Sequence, residues 1–169
     1  MRYKNANIED VLPIIRETLR NNVNKNQDKL TKGLFIYGKT GVGKTYTLHA
    51  IKNRLYDLGV DNLGNIENWL EINVELRDRV GVGRFLETIR EITKPSIIFI
   101  DDVGVEKLTE WGQENFYLIL NNIYNNEKVL IMTTNLSLDQ FQERYGDRIF
   151  SRLLEICSII EMSGDDKRI

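Results

Sequence analysis

The sequence predicts an α/β fold of three layers, with about five strands in a parallel sheet covered by helices on both faces. Three observations lead there. Short β-rich segments alternate with helical ones along the chain. Several strand segments are almost wholly apolar, as in Ser96-Ile97-Ile98-Phe99-Ile100, and such runs belong to strands buried on both faces. Finally, Gly38-Lys39-Thr40-Gly41-Val42-Gly43-Lys44-Thr45 matches G-x-x-x-x-G-K-[ST] and falls between a predicted strand and a predicted helix.

The 169 residues amount to about one domain. The expected organisation is a single unit over 1–169, with a helix and linker over 1–32 and the core over 33–169. A hydrophobic fraction of 41% and a charged fraction of 28% exclude a disordered chain, a collagen and a coiled coil. With one cysteine, Cys157, no disulfide can form within the chain, and with one histidine, His49, no zinc site of ordinary ligand count can be built. The net charge of −2 means that any nucleic-acid contact must come from a local basic patch. No run approaches the ~18 apolar residues that span a bilayer, and the start lacks the apolar stretch of a secretory signal. The expected compartment is the cytoplasm, with no membrane partner.

The elements follow in order. Residues 11–23 place Val11, Ile14, Ile15, Leu19 and Val23 at helical spacing, with Asp10 as the expected cap and Pro13 in the first turn. The polar stretch 21–29 reads as a loop. Residues 33–37 read as a buried strand bounded by Gly38, and 43–58 as a helix closed by Gly59. Residues 69–74 read as a strand, and 75–92 as helix broken around Gly81 and Gly83. The strand at 96–100 precedes a helix at 109–125 and a strand at 129–132. Ser137 and Gln140 form a capping box for a helix reaching about Tyr145. A helix over 147–156 and a strand over 158–162 complete the pattern.

The glycine-rich motif has a physical basis. A loop that wraps a phosphate with successive backbone N–H groups has no room for side chains at Gly41 and Gly43. The helix that follows offers its N-terminus to an anion. Lys44 reaches the terminal phosphates and the Thr45 hydroxyl ligates Mg²⁺. The predicted nucleotide-binding segment runs from Gly38 through Tyr46. Chance alone gives such a match in roughly one of a few hundred chains of this length.

The strand 97–100 ends in Asp101-Asp102, at the end of a sheet where ligands bind in open α/β folds. Asp101 suits the Mg²⁺ shell, and Asp102 suits orientation of an attacking water. Thr133-Thr134-Asn135 follows the next strand; it can place an uncharged polar group beside a γ-phosphate, or simply form a cap or turn.

Together, residues 33–45, Ile98 with Asp101-Asp102-Val103-Gly104-Val105-Glu106-Lys107, Thr133-Thr134-Asn135 and Tyr145-Gly146-Asp147-Arg148-Ile149-Phe150-Ser151-Arg152-Leu153 resemble the AAA+ ATPase domain of DnaC-type replicative helicase loaders. They are also similar to the IstB transposition helpers. The segment Arg2-Tyr3-Lys4-Asn5-Ala6 resembles the stretch before the nucleotide pocket in that family. The resemblance implies a P-loop NTPase sheet of order 5-1-4-3-2. It makes Asn135 a sensor of the γ-phosphate and Arg152 an arginine finger acting on a neighbouring subunit's ATP. Arg148, one helical turn earlier, would assist. The bland alternative is a surface helix on which these arginines pair with Glu155 or nearby acids.

The activity implied is ATP binding and hydrolysis in a DNA replication protein that loads or remodels a replicative helicase on single-stranded DNA. ATP would join copies into a homo-oligomer. Many AAA+ enzymes carry Asp-Glu where this chain has Asp101-Asp102; the shorter Asp102 implies slow turnover. With seven residues after Met162, no helical lid is expected, so a lid arginine is absent unless Arg168 approaches the site. Loaders usually carry an upstream helicase-gripping region, so either it was trimmed or the partner is recruited otherwise. Arg77, Arg79, Arg84 and Arg90 lie where the family lines a channel for single-stranded DNA, although Glu75, Asp78, Glu87 and Glu91 alternate with them. A transposition helper and a nucleotide-gated module with little turnover are the alternatives. A small-molecule kinase lacks assignable acceptor-clamping arginines, and a GTPase lacks an Asn-Lys-x-Asp motif.

Overall fold

The computed structural model describes residues 3–24, 29–107 and 109–164. A short 3₁₀ turn, Ile8–Asp10, leads into α1 (Pro13–Asn21), then a two-stranded antiparallel ribbon of β1 (Val23–Asn24) and β2 (Lys29–Leu30). The core alternates β3 (Gly33–Tyr37), α2 (Lys44–Asp57), β4 (Leu63–Asn68), α3 (Trp69–Val80), α4 (Phe85–Ile92), β5 (Ile97–Val103), α5 (Glu110–Asn125) and β6 (Val129–Thr134). It closes with α6 (Leu138–Tyr145), α7 (Asp147–Ile156) and β7 (Cys157–Glu161).

The five main strands are parallel and run in the order β4-β5-β6-β3-β7. Counted from β3 as the first strand of the core, that is the expected 5-1-4-3-2 order. Successive side chains on a strand point to opposite faces, and both faces here are apolar. Phe35, Ile98, Ile100, Leu130 and Met132 pack under the α3–α7 side, with Trp69, Leu76, Ile119, Phe141 and Leu153. Leu34, Ile36, Ile97, Phe99 and Ile131 face the other side, against Ile15 of α1 and Leu48 and Ile51 of α2. The approach of β3 to β6 is tight at Gly33, where a Cβ would fall 1.8 Å from the Leu130 carbonyl oxygen.

Several sequence expectations need correction. Asp10 does not cap α1: it ends the 3₁₀ turn, and the helix starts at Pro13 after Leu12, with no side-chain cap. Val23 lies past α1, in the ribbon that forms part of the expected loop at 21–29. The largest difference is at 69–74, which begins helix α3; the strand is the preceding Leu63–Asn68. In that stretch Leu70, Ile72 and Val74 alternate with polar residues, which suits a strand. The buried set, however, is Trp69, Ile72, Asn73 and Leu76, at helical spacing, while Leu70 and Val74 are exposed. The Asn68 side chain caps this helix by accepting from the Leu70 amide. The break around Gly81 and Gly83, the Ser137–Gln140 capping box and the start of α7 at Asp147 are as expected.

A candidate nucleotide site at the sheet edge

The phosphate loop leaves β3, Asp101 and Asp102 lie near the end of β5, and Asn135 follows β6. These strands are neighbours, so residues far apart in sequence meet at one end of the sheet. The loop turns through positive φ at Gly41 (90°) and Gly43 (99°), a region that disfavours side chains. Gly38 is required for a second reason: a Cβ there would lie 2.1 Å from the Met162 carbonyl oxygen.

Lys44 is buried, and its ammonium donates to the carbonyls of Gly38 (2.7 Å) and Lys39 (2.8 Å) and to Asn135 Oδ1 (2.5 Å). Thr45 Oγ1 donates to Asp101 Oδ2 at 2.8 Å, and Thr133 Oγ1 donates to Asp101 Oδ1 at 2.5 Å. Asp101 is 6% exposed, so its carboxylate is held between two hydroxyls at the floor of the site. Asp102 has φ of +56°, and the β5–β6 register shifts between Ile100 and Val103. Asn135 Nδ2 lies 3.5 Å from Asp102 Oδ1, so one amide faces both Lys44 and Asp102.

A cleft of about 610 Å³ opens over these groups, lined by Thr40, Gly41, Gly43, Lys44, Thr45, Asp102 and Asn135 among others. Tyr3, Asp10 and Tyr46 also line it. There the Tyr46 hydroxyl donates to Asp10 Oδ2 at 2.6 Å and accepts from the Asn7 amide at 3.0 Å. The bond to Asp10 is the main reason the Tyr46 hydroxyl is held above its ordinary pKa. The Tyr3 ring lies 4.9 Å from the His49 ring. Tyr3 belongs to the segment that resembles the stretch before the nucleotide pocket, whereas Asp10 has no such signal: nothing in local spacing ties it to a loop some 30 residues on.

A divalent cation fits this donor set. Thr45 and Asp101 would offer Mg²⁺ hard oxygen ligands side by side, the donor type it prefers, and bound there it would offset phosphate charge. No group of three or more His, Cys, Asp or Glu among the described residues could hold a metal by itself.

Arg148 and Arg152 do not line the cleft. Both guanidinium groups stack on Tyr117 of α5, at 4.5 and 5.1 Å from the ring centre, and Arg152 Nη1 donates to Asn121 Oδ1 at 2.5 Å. Neither makes an ion pair among the described residues. The basic segment is dispersed: Arg77 lies over Trp111, Arg79 pairs with Glu75 and Arg84 with Glu87, while Arg90 is exposed. Arg2 and Arg168 lie outside the described residues.

The sheet order, the glycine-rich loop and the strand-end aspartates define a P-loop NTPase of the AAA+ type. Residues 26–169 match the IstB-like ATP binding protein family, and the chain belongs to it. It is 24% identical over 156 residues to the replicative helicase loader DnaI of Bacillus subtilis (strain 168), covering 85% of this chain and 50% of that protein. A match to the chromosomal replication initiator DnaA of Campylobacter jejuni subsp. jejuni is 33% identical over 108 residues, covering 63% of this chain and 24% of that protein. The chain thus spans about half the length of DnaI and a quarter of DnaA. The crystal structure of the DnaC helicase loader superposes with a TM-score of 0.80 at 26% identity, covering 96% of this chain and 99% of that one. AMPPCP-bound DnaA from Aquifex aeolicus superposes at 0.78 with 22% identity, covering 98% of this chain and 53% of that one, and shares the fold.

Proposed function

We propose that this chain is a slowly hydrolysing, Mg²⁺-dependent ATPase module that loads or remodels a replicative helicase. The carrying observation is the junction at which Lys44, Asn135 and Asp102 meet above the Thr45–Asp101 pair, inside a cleft walled by the phosphate loop. Gly38 through Tyr46 hold the nucleotide. Lys44 grips the β- and γ-phosphates, and Thr45 and Asp101 hold Mg²⁺, which when bound offsets phosphate charge. Asp102 orients the attacking water and accepts its proton. Asn135 touches both Lys44 and Asp102, so it can report the γ-phosphate to the water-handling side of the site.

Charge developing on the phosphoryl group needs a further cation in the transition state. Arg152, with Arg148 beside it, supplies that cation to the ATP of a neighbouring copy; their absence from the chain's own cleft supports action in trans. ATP therefore joins copies into an oligomer, and turnover releases them. Arg77, Arg79 and Arg84 bind single-stranded DNA weakly in this reading, since Arg79 and Arg84 already hold carboxylates.

Likeness to DnaC and DnaI supports a helicase partner. Membership of the IstB-like ATP binding family keeps a second reading in play, the transposition helper that the sequence also resembles. The purified chain is mixed with ATP–Mg²⁺ and either a hexameric replicative helicase or a transposase, and complexes are separated by size. Helicase co-elution that requires ATP supports loading; transposase co-elution alone overturns it. Phosphate release, measured with and without single-stranded DNA, separates a slow ATPase from a nucleotide-gated module.

A further inference from the structure

Glu106 lies four residues beyond Asp102, and its side chain is only 8% exposed. Its carboxylate accepts from three donors at once, on α3, on α6 and in the turn after β5. Oε1 takes the Tyr145 hydroxyl at 2.7 Å and the Trp69 indole N–H at 3.0 Å, and Oε2 takes the Gly104 amide at 3.1 Å. Arg144 donates to the Glu106 carbonyl and stands 3.9 Å from its Oε1. A buried carboxylate is costly unless hydrogen-bonded and charge-compensated, and here both conditions hold.

The turn it grips is a strained one. Asp102 at φ +56° and Gly104 at φ +93° both occupy the left-handed region. Such conformations persist at non-glycine residues only where the surroundings over-determine them. Thr133 Oγ1 holds the Asp102 amide, and the Thr134 hydroxyl donates to the Val103 carbonyl. Both contacts come from the adjacent strand. Glu106 adds the clamp from outside the sheet: Trp69 opens α3, Tyr145 closes α6, and α7 with Arg148 and Arg152 begins two residues after Tyr145.

We propose that Glu106 is a positioning residue: its buried carboxylate holds the turn that presents Asp102 to the cleft, and ties that turn to the start of α3 and to the α6–α7 junction. A change at the nucleotide thereby reaches the helix carrying the trans-acting arginines through one carboxylate. The proposal rests on the reading of Asp102 as the water-handling group and, for the link to α7, on the reading of Arg148 and Arg152 as trans-acting.

The experiment uses the full chain with Glu106→Gln, which keeps an acceptor for Trp69 and Tyr145 but loses the charge and one of the two acceptor oxygens. Tyr145→Phe removes a single donor and serves if the first variant fails to fold. Amide exchange at Gly104 is followed by NMR without nucleotide; ATP affinity, KM and kcat are measured separately. Expected for Glu106→Gln are faster Gly104 exchange by about tenfold and a kcat loss of up to about 10²-fold. ATP affinity should stay within about threefold. Tyr145→Phe should move the same readouts less. Parent-like Gly104 exchange overturns the proposal, as does a kcat loss matched by an equal loss of ATP affinity. If the parent itself turns over no ATP, the ATPase reading falls instead, and Gly104 exchange alone decides whether Glu106 clamps the turn.

Discussion

The Lys44 ammonium donates to the Asn135 amide oxygen at 2.5 Å, across 91 residues of sequence. The contact joins the start of α2 to the residue after β6, and Asn135 in turn faces Asp102. The proposed phosphate-gripping, sensing and water-handling groups therefore form one chain of polar contacts.

Lys44→Ala should strongly weaken ATP–Mg²⁺ binding, because a charge-assisted contact to the terminal phosphates is lost. Calorimetry of the parent and variant tests this. Unchanged affinity would remove the phosphate-loop assignment.

Asp102→Asn should keep ATP affinity within a few-fold and abolish phosphate release, since the carboxylate acts on water in the transition state. An asparagine variant with parental turnover would show that another group handles the water.

Arg152→Ala should bind ATP and fold normally but lose roughly 10³–10⁵ in rate, or about 4–7 kcal/mol. Mixing it with Lys44→Ala should restore some activity, because one variant supplies the finger and the other the intact pocket. Parental specific activity should rise with protein concentration. Arg148→Ala should be milder. Turnover independent of concentration down to clear monomer would favour a purely structural role for these arginines on Tyr117.

Phe141 is fully buried, 4.9 Å from the Phe35 ring and 4.5 Å from the Tyr145 ring. Phe141→Ala should cost about 3–5 kcal/mol through lost burial and a residual cavity. A urea denaturation midpoint close to that of the parent would contradict this packing.

Burial is the main cause holding the His49 imidazole below its ordinary pKa; the Lys52 charge adds to it and the Asp101 charge opposes it. The neutral form is thus favoured in the folded state, and the unfolded chain takes up a proton more readily. Stability contributed by neutral His49 is present above about pH 6.5 and is lost as pH falls through the depressed folded value. His49→Gln should flatten that part of the profile, read as urea midpoints across mildly acidic pH. An unchanged slope would assign the loss to other groups.

Local pattern was enough for much of this molecule. The phosphate loop is legible because wrapping an anion demands glycines at set spacing, and β3, β5 and β6 are legible because their residues are apolar on both faces. Alternation of these strands with helices implies the parallel sheet, and the Ser137–Gln140 box marks a helix start within four residues. The start of α3 was not legible, because Leu70, Ile72 and Val74 satisfy a strand period while only the packed core reveals that Trp69, Ile72 and Leu76 face inward. The same limit hides Asp10 in the cleft wall, Arg148 and Arg152 stacked on Tyr117, and Glu106 between Trp69 and Tyr145. Periodicity reports which face of an element is apolar; which distant polar groups meet is decided by strand order and helix packing, through contacts 31 to 39 residues apart that no local pattern encodes.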